Sequence, residues 1–429
     1  MKLRIENIGP VKRIDIDLSK PMIIFTGLNG SGKTYVSYVI YTLFRLFSPK
    51  EDFLNWNEFV KSQQNEISHV LDVDKLYILL QKHIDLINKI PNLAFGVDFK
   101  DDIIKDTRIT LLTTKSQFRE ELISDEQIID AEGIFVFVKK KGSLEYTLKN
   151  MGGSLEYSVA INFIVVKSLL FNSIIEDIEP SDRSGLSTFS NEIISGLENY
   201  KTLHDKSSKK SNLDHPLAIK RFLDDLKDHM KPLSERTRHH SLADDIERNL
   251  MHGHLMVNES NEIFYQKDGT NVFLPLKLSS SGVKTICSII LFLRNSAMDC
   301  NLIIIDEPEI NLHPKYQVLI ARMLAKAVNA GIRLIINTHS DYIIREINNM
   351  IMLSSIKDEK KLKKLGYSKE EILSCEDVSP YYFEFQKQDR YVIGKEVPVS
   401  KTGFSINEID DVINSQVIAS QNIFEAIYG

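Results

Sequence analysis

The chain has few cysteines, no long apolar run and no sustained heptad repeat, and each absence argues against a class of protein. Cys287, Cys300 and Cys375 are the only cysteines in 429 residues, and their spacing fits no metal site. So sparse a set is typical of a reducing compartment. The longest apolar runs stop well short of the ~20 residues that a transmembrane helix needs. The missing heptads argue against a long coiled coil.

The overall charge argues against a surface that binds nucleic acid all over. The net charge is −6, with 43% apolar and 26% charged residues, as in an ordinary globular protein. The locally basic segment 201–240 leaves a local nucleic-acid contact open, although such a run is usually a solvated face. The first six residues are too charged for a signal peptide. We therefore expect a cytoplasmic protein that makes no contact with a membrane.

What the chain does have is a phosphate-binding loop. Residues 27–34, Gly-Leu-Asn-Gly-Ser-Gly-Lys-Thr, fit the pattern G-x-x-x-x-G-K-[ST] and follow the apolar run 22–25. The glycines let successive N–H groups face an anion, and a helix that begins near Lys33 adds its positive dipole end. Lys33 is predicted to reach the β- and γ-phosphates of ATP, and Thr34 to ligate Mg²⁺. The predicted nucleotide-binding residues of the loop are Asn29, Gly30, Ser31, Gly32, Lys33 and Thr34.

A second apolar strand, residues 302–305, leads into Asp306 and Glu307. Ligands of α/β sheets bind at the carboxyl ends of the strands, so we predict that Asp306 holds Mg²⁺ and that Glu307 polarises the attacking water. A further apolar strand, 334–337, precedes His339, which is predicted to reach the γ-phosphate. A lone histidine is more often structural, but its place one strand and one helix after the acidic pair favours catalysis. The predicted activity is ATP hydrolysis.

A serine-rich turn, residues 278–284, precedes an apolar helix that starts near Thr285. Such a turn can cradle an anion at the helix N-terminus, although serine-rich turns often only cap helices. The histidines of the chain invite a zinc interpretation at two places, 239–240 and 252–254. No cysteine accompanies them, so the sequence disfavours a metal site there.

In this order the motifs resemble the ABC-type ATPase heads shared by SMC, RecF-like and OLD-like proteins. The strand pair at 3–18 and the run D-E-P-E-x-x-L-H-P at 306–314 favour the RecF and OLD branch over transporters. The nucleotide-binding subunit of a transporter is therefore a less favoured interpretation of the chain. Arg183 looks like an arginine motif of the same branch. The family's glutamine loop has no clear counterpart, and Gln117 is a weak candidate for it.

The resemblance implies that two heads face each other around ATP. Ser280 and Gly282 of one chain would then touch the γ-phosphate bound by the other chain, and Asn311 would line the seam between them. Ser281 and Val283 stand where the family signature usually has Gly and Glu or Gln. Hydrolysis is therefore expected to be slow or regulated.

The resemblance also implies the fold class, which is α/β. We expect an ABC-type P-loop NTPase head, with a mixed central sheet, helices and an antiparallel β subdomain, built from residues 1–45 and 241–429. Residues 46–240 are predicted to form a mostly helical insertion with a β-hairpin near 133–149.

The tail after Ser340 holds no carboxylate cluster typical of a nuclease. The chain therefore resembles the ATPase subunits of bacterial phage-defence systems of the PARIS, Septu or retron kind, in which such a head is paired with a separate nuclease or toxin. This implies a homodimer or higher homo-oligomer that forms through the ATP sites and controls a separate effector protein. The alternative is a RecF-like DNA repair or maintenance ATPase that clamps DNA between paired heads.

Overall fold

The computed structural model describes residues 1–49, 53–89, 94–95, 106–131, 134–173, 176–188, 216–230, 237, 239–297, 301–386 and 391–428. Much of the basic segment 201–240, and Cys300, lie outside these residues. Within them, no helix combines the length and the apolar character that crossing a membrane would require.

The strands of the chain are β1 (Lys2–Ile8), β2 (Val11–Asp17), β3 (Met22–Gly27), β4 (Glu66–Val70), β5 (Arg108–Leu111), β6 (Gln127–Ala131), β7 (Phe135–Lys139), β8 (Glu145–Asn150), β9 (Glu176–Glu179), β10 (Gly253–Val257), β11 (Ile263–Lys267), β12 (Phe273–Pro275), β13 (Leu302–Asp306), β14 (Arg333–Asn337), β15 (Val378–Gln386) and β16 (Tyr391–Glu396). The α-helices within the described residues are α1 (Lys33–Arg45), α2 (Trp56–Lys61), α3 (Val73–Lys89), α4 (Lys115–Ser124), α5 (Ser158–Phe171), α6 (Arg183–Thr188), α7 (Leu217–His229), α8 (His240–Ile246), α9 (Ser281–Asn295), α10 (Pro314–Asn329), α11 (Asp341–Met352), α12 (Glu359–Lys364) and α13 (Asn407–Tyr428).

The central sheet has the strand order β5-β1-β2-β16-β15-β3-β14-β13-β9. From β15 to β9 all neighbours run parallel. The pairs β1–β2, β1–β5 and β15–β16 are antiparallel, so the sheet is mixed. Together with the helices this confirms the predicted α/β class.

The middle strands are apolar because both faces of the sheet are covered. Every residue of β13 and of β14 is buried, and β3 is buried up to its last residue. Continuous apolar runs of this kind are typical of parallel strands with helices on both sides. The strands therefore carry polar side chains mainly where they end, which places the chemistry at one edge.

Two smaller antiparallel sheets complete the fold, with strand orders β10-β11-β12 and β4-β8-β7-β6. Strands β7 and β8 pair where the sequence predicts a hairpin. The sheet β10-β11-β12 leads directly into the turn that precedes α9.

Both edges of the central sheet come from the predicted insertion. Strand β5 pairs with β1 at one edge, and β9 pairs with β13 at the other. An open sheet edge presents unpaired backbone groups, so added edge strands satisfy the inner strands. The domain boundaries at residues 46 and 240 stay a prediction. The central sheet contains strands from both sides of these boundaries.

Candidate functional site

The candidate site lies where β3, β14 and β13 end. The three strands are parallel neighbours, with β14 in the middle. The phosphate loop follows β3, the acidic pair ends β13, and His339 follows β14 by two residues. Because parallel strands end at the same edge of a sheet, residues far apart in sequence meet there.

The backbone of the phosphate loop takes a shape that requires glycine. Gly32 has φ +92°, and a Cβ there would lie 2.5 Å from Cγ2 of Val11. Lys33 is buried beneath the loop, and its Nζ donates to the carbonyl oxygens of Gly27 (3.1 Å) and Leu28 (3.0 Å). Burial lowers the pKa of Lys33 to about 8, although the charges of Asp306, Glu307 and Glu309 oppose the shift. An ammonium held in this way can turn from the loop carbonyls to a phosphate.

A chain of hydrogen bonds joins the loop to the acidic strand. The Thr34 hydroxyl donates to Oδ2 of Asp306 at 3.0 Å. The Asn337 amide donates to Oδ1 of Asp306 at 2.8 Å, and its own Oδ1 accepts from Ser37 at 2.9 Å. The two residues predicted to ligate Mg²⁺ are therefore in contact, and Asn337 fixes the carboxylate from the middle strand.

Glu307 adopts a backbone conformation that is rare for a residue with a side chain. Its φ is +50°, and its N–H donates to the carbonyl oxygen of Asn337 at 2.9 Å. Burial raises the pKa of Glu307, and the neighbouring charge of Asp306 raises it further. A half-buried carboxylate with a raised pKa has the character of a general base.

His339 lies at the end of β14, beside the phosphate loop. Its burial lowers the pKa to about 4, and the charge of Lys33 acts in the same direction, so the imidazole is neutral at physiological pH. The main-chain N–H of His339 donates to Oε1 of Glu309 at 2.7 Å, and the Thr338 hydroxyl donates to the same oxygen at 2.9 Å. The strand end that carries His339 is thus anchored to the segment after β13.

Sequence reasoning missed Asn337 and Glu309 as parts of this network. Asn337 is the single polar residue at the end of an apolar strand, and Glu309 is the third acid of the run D-E-P-E. Both signals were visible, but nothing local relates either residue to Asp306 or His339. Their partners are apparent only once the strands are neighbours.

The serine-rich turn faces outward. Ser280 is exposed and caps α9, where its Oγ accepts from the N–H of Val283 at 3.4 Å. A Cβ on Gly282 would make only ordinary contacts, the nearest at 3.5 Å to Leu312. Within the part of the chain that the structure describes, no hydrogen bond joins Ser280 or Gly282 to residues 27–34. The predicted site residues thus form two groups, one around the phosphate loop and one at this turn.

Gln117 and the histidine pairs have local roles. Gln117 caps α4, because its Oε1 accepts from the N–H of Thr114 at 2.9 Å. His240 bonds Asp244 at 3.2 Å, and His254 bonds Glu247 at 3.1 Å. Across the described ranges, no group of three or more His, Cys, Asp or Glu side chains could hold a metal ion.

The comparisons with known proteins agree with this motif set at the level of the family. A family model described as an AAA ATPase domain matches residues 1–344, which is most of the chain. No curated protein matches the sequence.

Similar solved structures include three SMC heads, all at low similarity. A head bound to the C-terminal winged-helix domain of ScpA has 11% identity and a TM-score of 0.37, with 92% of this chain and 97% of that chain covered. The SMC head of Thermotoga maritima has 11% identity and a TM-score of 0.32, with 93% and 98% covered. A head with an extended coiled coil, bound to the C-terminal domain of ScpA derived from Pyrococcus furiosus, has 10% identity and a TM-score of 0.35, with 96% and 98% covered.

Proposed function

This chain belongs to the AAA ATPase domain family, and we propose that it pairs head to head around MgATP and uses slow, regulated hydrolysis to control a separate effector protein. The observation that carries the ATPase part is the contact between Thr34 and Asp306 at 3.0 Å, with Glu307 next in the chain. It supports the proposal because the phosphate loop, the two oxygens proposed to ligate Mg²⁺ and the carboxylate proposed as the general base meet at one edge of the sheet.

The residues present fit ATP and Mg²⁺. The loop amides and Lys33 supply positive groups for the phosphates, and Thr34 and Asp306 supply the hard oxygen ligands that Mg²⁺ prefers. Bound Mg²⁺ would neutralise charge on the phosphates. In the chain itself, Glu307 accepts a proton from the attacking water, and the neutral His339 can hydrogen-bond the γ-phosphate.

The pairing part of the proposal is supported by the outward-facing turn. Ser280 is exposed at the N-terminus of the 15-residue helix α9, where backbone N–H groups and the helix dipole favour an anion. Asn311 has φ +60° and donates to Oγ1 of Thr285 at 3.3 Å, so the segment after β13 is held beside the turn. A second copy that presents its phosphate loop here would complete two identical sites.

The effector part is supported by exposed apolar surface on α13. Its large side chains point to solvent, with Phe424 63% and Tyr428 74% exposed. The centroids of the two rings lie 4.9 Å apart, and a contiguous exposed apolar patch is typical of an interaction surface. The antiphage role and the cytoplasmic location belong to the same proposal and rest on the sequence.

The decisive variant for the ATPase part is Glu307→Gln. We expect it to keep ATP binding, to lower kcat by a factor of about a hundred or more, and to remain paired in ATP, because only proton transfer is lost. Turnover assays and light scattering with and without ATP measure both effects. Unchanged turnover would contradict the role of Glu307, and a chain that stays monomeric in ATP at every concentration would contradict the pairing.

The effector part is tested by expressing the native operon and purifying the tagged chain. We expect the product of a neighbouring gene to co-purify, and its absence would contradict the effector proposal. The alternative DNA clamp predicts that duplex DNA stimulates the ATPase at low salt and that the effect weakens steeply as salt rises. An ATPase rate that DNA leaves unchanged at low salt would remove that alternative.

A further inference from the structure

A fully buried arginine lies beneath the acidic pair. Arg183 begins α6, four residues after β9 ends, and its side chain is 0% exposed. A buried guanidinium is costly unless its donors are satisfied and its charge is balanced. The contacts of Arg183 therefore identify what the residue does in the fold.

The guanidinium binds four main-chain carbonyl oxygens from three parts of the chain. It donates to Pro180 (3.1 Å) in its own turn, and to Asp306 (2.7 Å) and Glu307 (3.0 Å) at the end of β13. Its Nε donates to the carbonyl of Thr285 (3.0 Å) in the second turn of α9. A planar fork with five donors can do this, whereas a lysine cannot.

A buried carboxylate close to Arg183 favours its charged form. Burial lowers the pKa of Arg183, and the charge of Glu179, which is buried at the end of β9, opposes the shift. Glu179 accepts a hydrogen bond from Ser288 of α9 at 2.5 Å. The Glu179–Ser288 hydrogen bond and the carbonyl contacts of Arg183 thus join β9, the end of β13 and helix α9 in one buried cluster. No solvent-exposed group is needed to hold the arginine in place.

The contact with Glu307 acts on a strained residue. At φ +50° the backbone of Glu307 lies in the left-handed region, which is strained for a residue with a side chain. Arg183 holds its carbonyl, and the carbonyl of Asn337 holds its N–H. The backbone from which the Glu307 side chain extends is therefore held by two hydrogen bonds from distant residues, in addition to the one that the nearby Ile310 N–H donates to its carbonyl.

The contact with Thr285 acts on the other half of the site. Thr285 is five residues after Ser280, and its hydroxyl also accepts from Asn311. The same guanidinium therefore ties the helix that presents Ser280 and Gly282 to the strand end that presents Asp306 and Glu307.

We propose that Arg183 is a positioning residue that couples the acidic pair of a chain to the serine turn of that same chain. This inference rests on the proposed function, because the turn acts on the nucleotide of the second copy. In a paired assembly the arginine of one chain then serves both sites: it aims Glu307 at its own nucleotide and sets the turn that closes over the other.

The first experiment compares Arg183→Lys with Arg333→Lys. Arg333 is a matched control, since it is also buried and also donates to main-chain carbonyls, those of Leu18, Phe171 and Asn172, but at the start of β14 rather than its end. We expect similar losses of thermal stability. Only Arg183→Lys should lower kcat at least about tenfold with little change in KM, because a displaced base slows chemistry more than binding. Equal kcat values for the two variants would overturn the positioning role.

The second experiment separates the two halves of the proposal with mixed assemblies. One chain carries Ser280→Arg and the other carries Lys33→Ala, so a single composite site remains, with the phosphate loop and Glu307 from the first chain and the turn from the second. Separate affinity tags on the two chains allow the mixed assembly to be purified. Arg183→Lys is then placed in either chain.

We expect a loss of kcat in both placements. A loss confined to the chain that supplies Glu307 would overturn the coupling to the turn. An inactive mixed assembly without Arg183→Lys would contradict the composite site of the proposed function instead. In that case the comparison with Arg333→Lys still decides whether Arg183 positions Glu307.

Discussion

The two halves of the candidate site differ in how far this chain alone explains their residues. Around the phosphate loop, two identities have an internal reason: Gly32 leaves no room for a Cβ beside Val11, and Asp306 accepts from both Thr34 and Asn337. At the serine turn, Ser280 is exposed and Gly282 could carry a Cβ without a close contact. The fold therefore accounts for these residues of the first half, whereas at the turn it accounts for Ser280 only as the cap of α9 and gives no reason for Gly282.

This difference is what a shared site would produce. Residues that serve the chain's own nucleotide must be held by the chain's own contacts. Residues that serve a second copy must instead stay exposed and small, so that another backbone can approach them. A glycine in a helix costs about 0.5–1 kcal/mol relative to alanine, so a glycine that the fold does not need calls for another role.

The largest effect that would sharpen the comparison is expected from Lys33→Ala. Removing the ammonium takes away a charge-assisted bond to the phosphates, and we expect ATP affinity to fall about a hundredfold. The exposed Lys12→Ala is the matched control and should bind ATP as the parent does. Titration with a fluorescent ATP analogue measures both, and equal affinities would contradict the assignment of the loop.

A smaller effect, on stability, is expected from Gly32→Ala. The new Cβ meets Val11 at 2.5 Å in a backbone with φ +92°, so we expect a loss of about 2–4 kcal/mol. Gly30→Ala has the control geometry, with φ +74° but nothing within 4 Å, and should lose only about 1–2 kcal/mol. Urea unfolding compares the two. Equal losses would show that space around Gly32 is not what restricts the position.

The smallest change in stability is expected from Gly282→Ala, which should leave the free energy of unfolding unchanged or raise it by about 0.5–1 kcal/mol. Hydrolysis should nevertheless fall, because the added methyl lies where the second copy's nucleotide is proposed to sit. Gly185→Ala, in α6 with open space around its Cβ, is a control that should gain similar stability without losing activity. Full ATPase activity in Gly282→Ala would remove the main distinction between the two halves.

The sequence determined the parts of this protein that depend on local chemistry. A glycine-rich loop before a lysine, apolar strands of four or five residues, and carboxylates at a strand end are recognisable without neighbours. The predictions of the loop, Asp306 and Glu307 follow from them, since backbone conformation and burial pattern are properties of short segments. The α/β class is implied by the family resemblance that these motifs carry.

Only the tertiary structure decided which of these segments touch. Strand β14 lies between β3 and β13 and brings Asn337 to Asp306; β5 and β9 supply both edges of the sheet from within the predicted insertion. Arg183 reaches Asp306 across 123 positions of the chain. Contacts at such separations form because buried polar groups must find partners when strands and helices pack, and no local pattern specifies which partners those are.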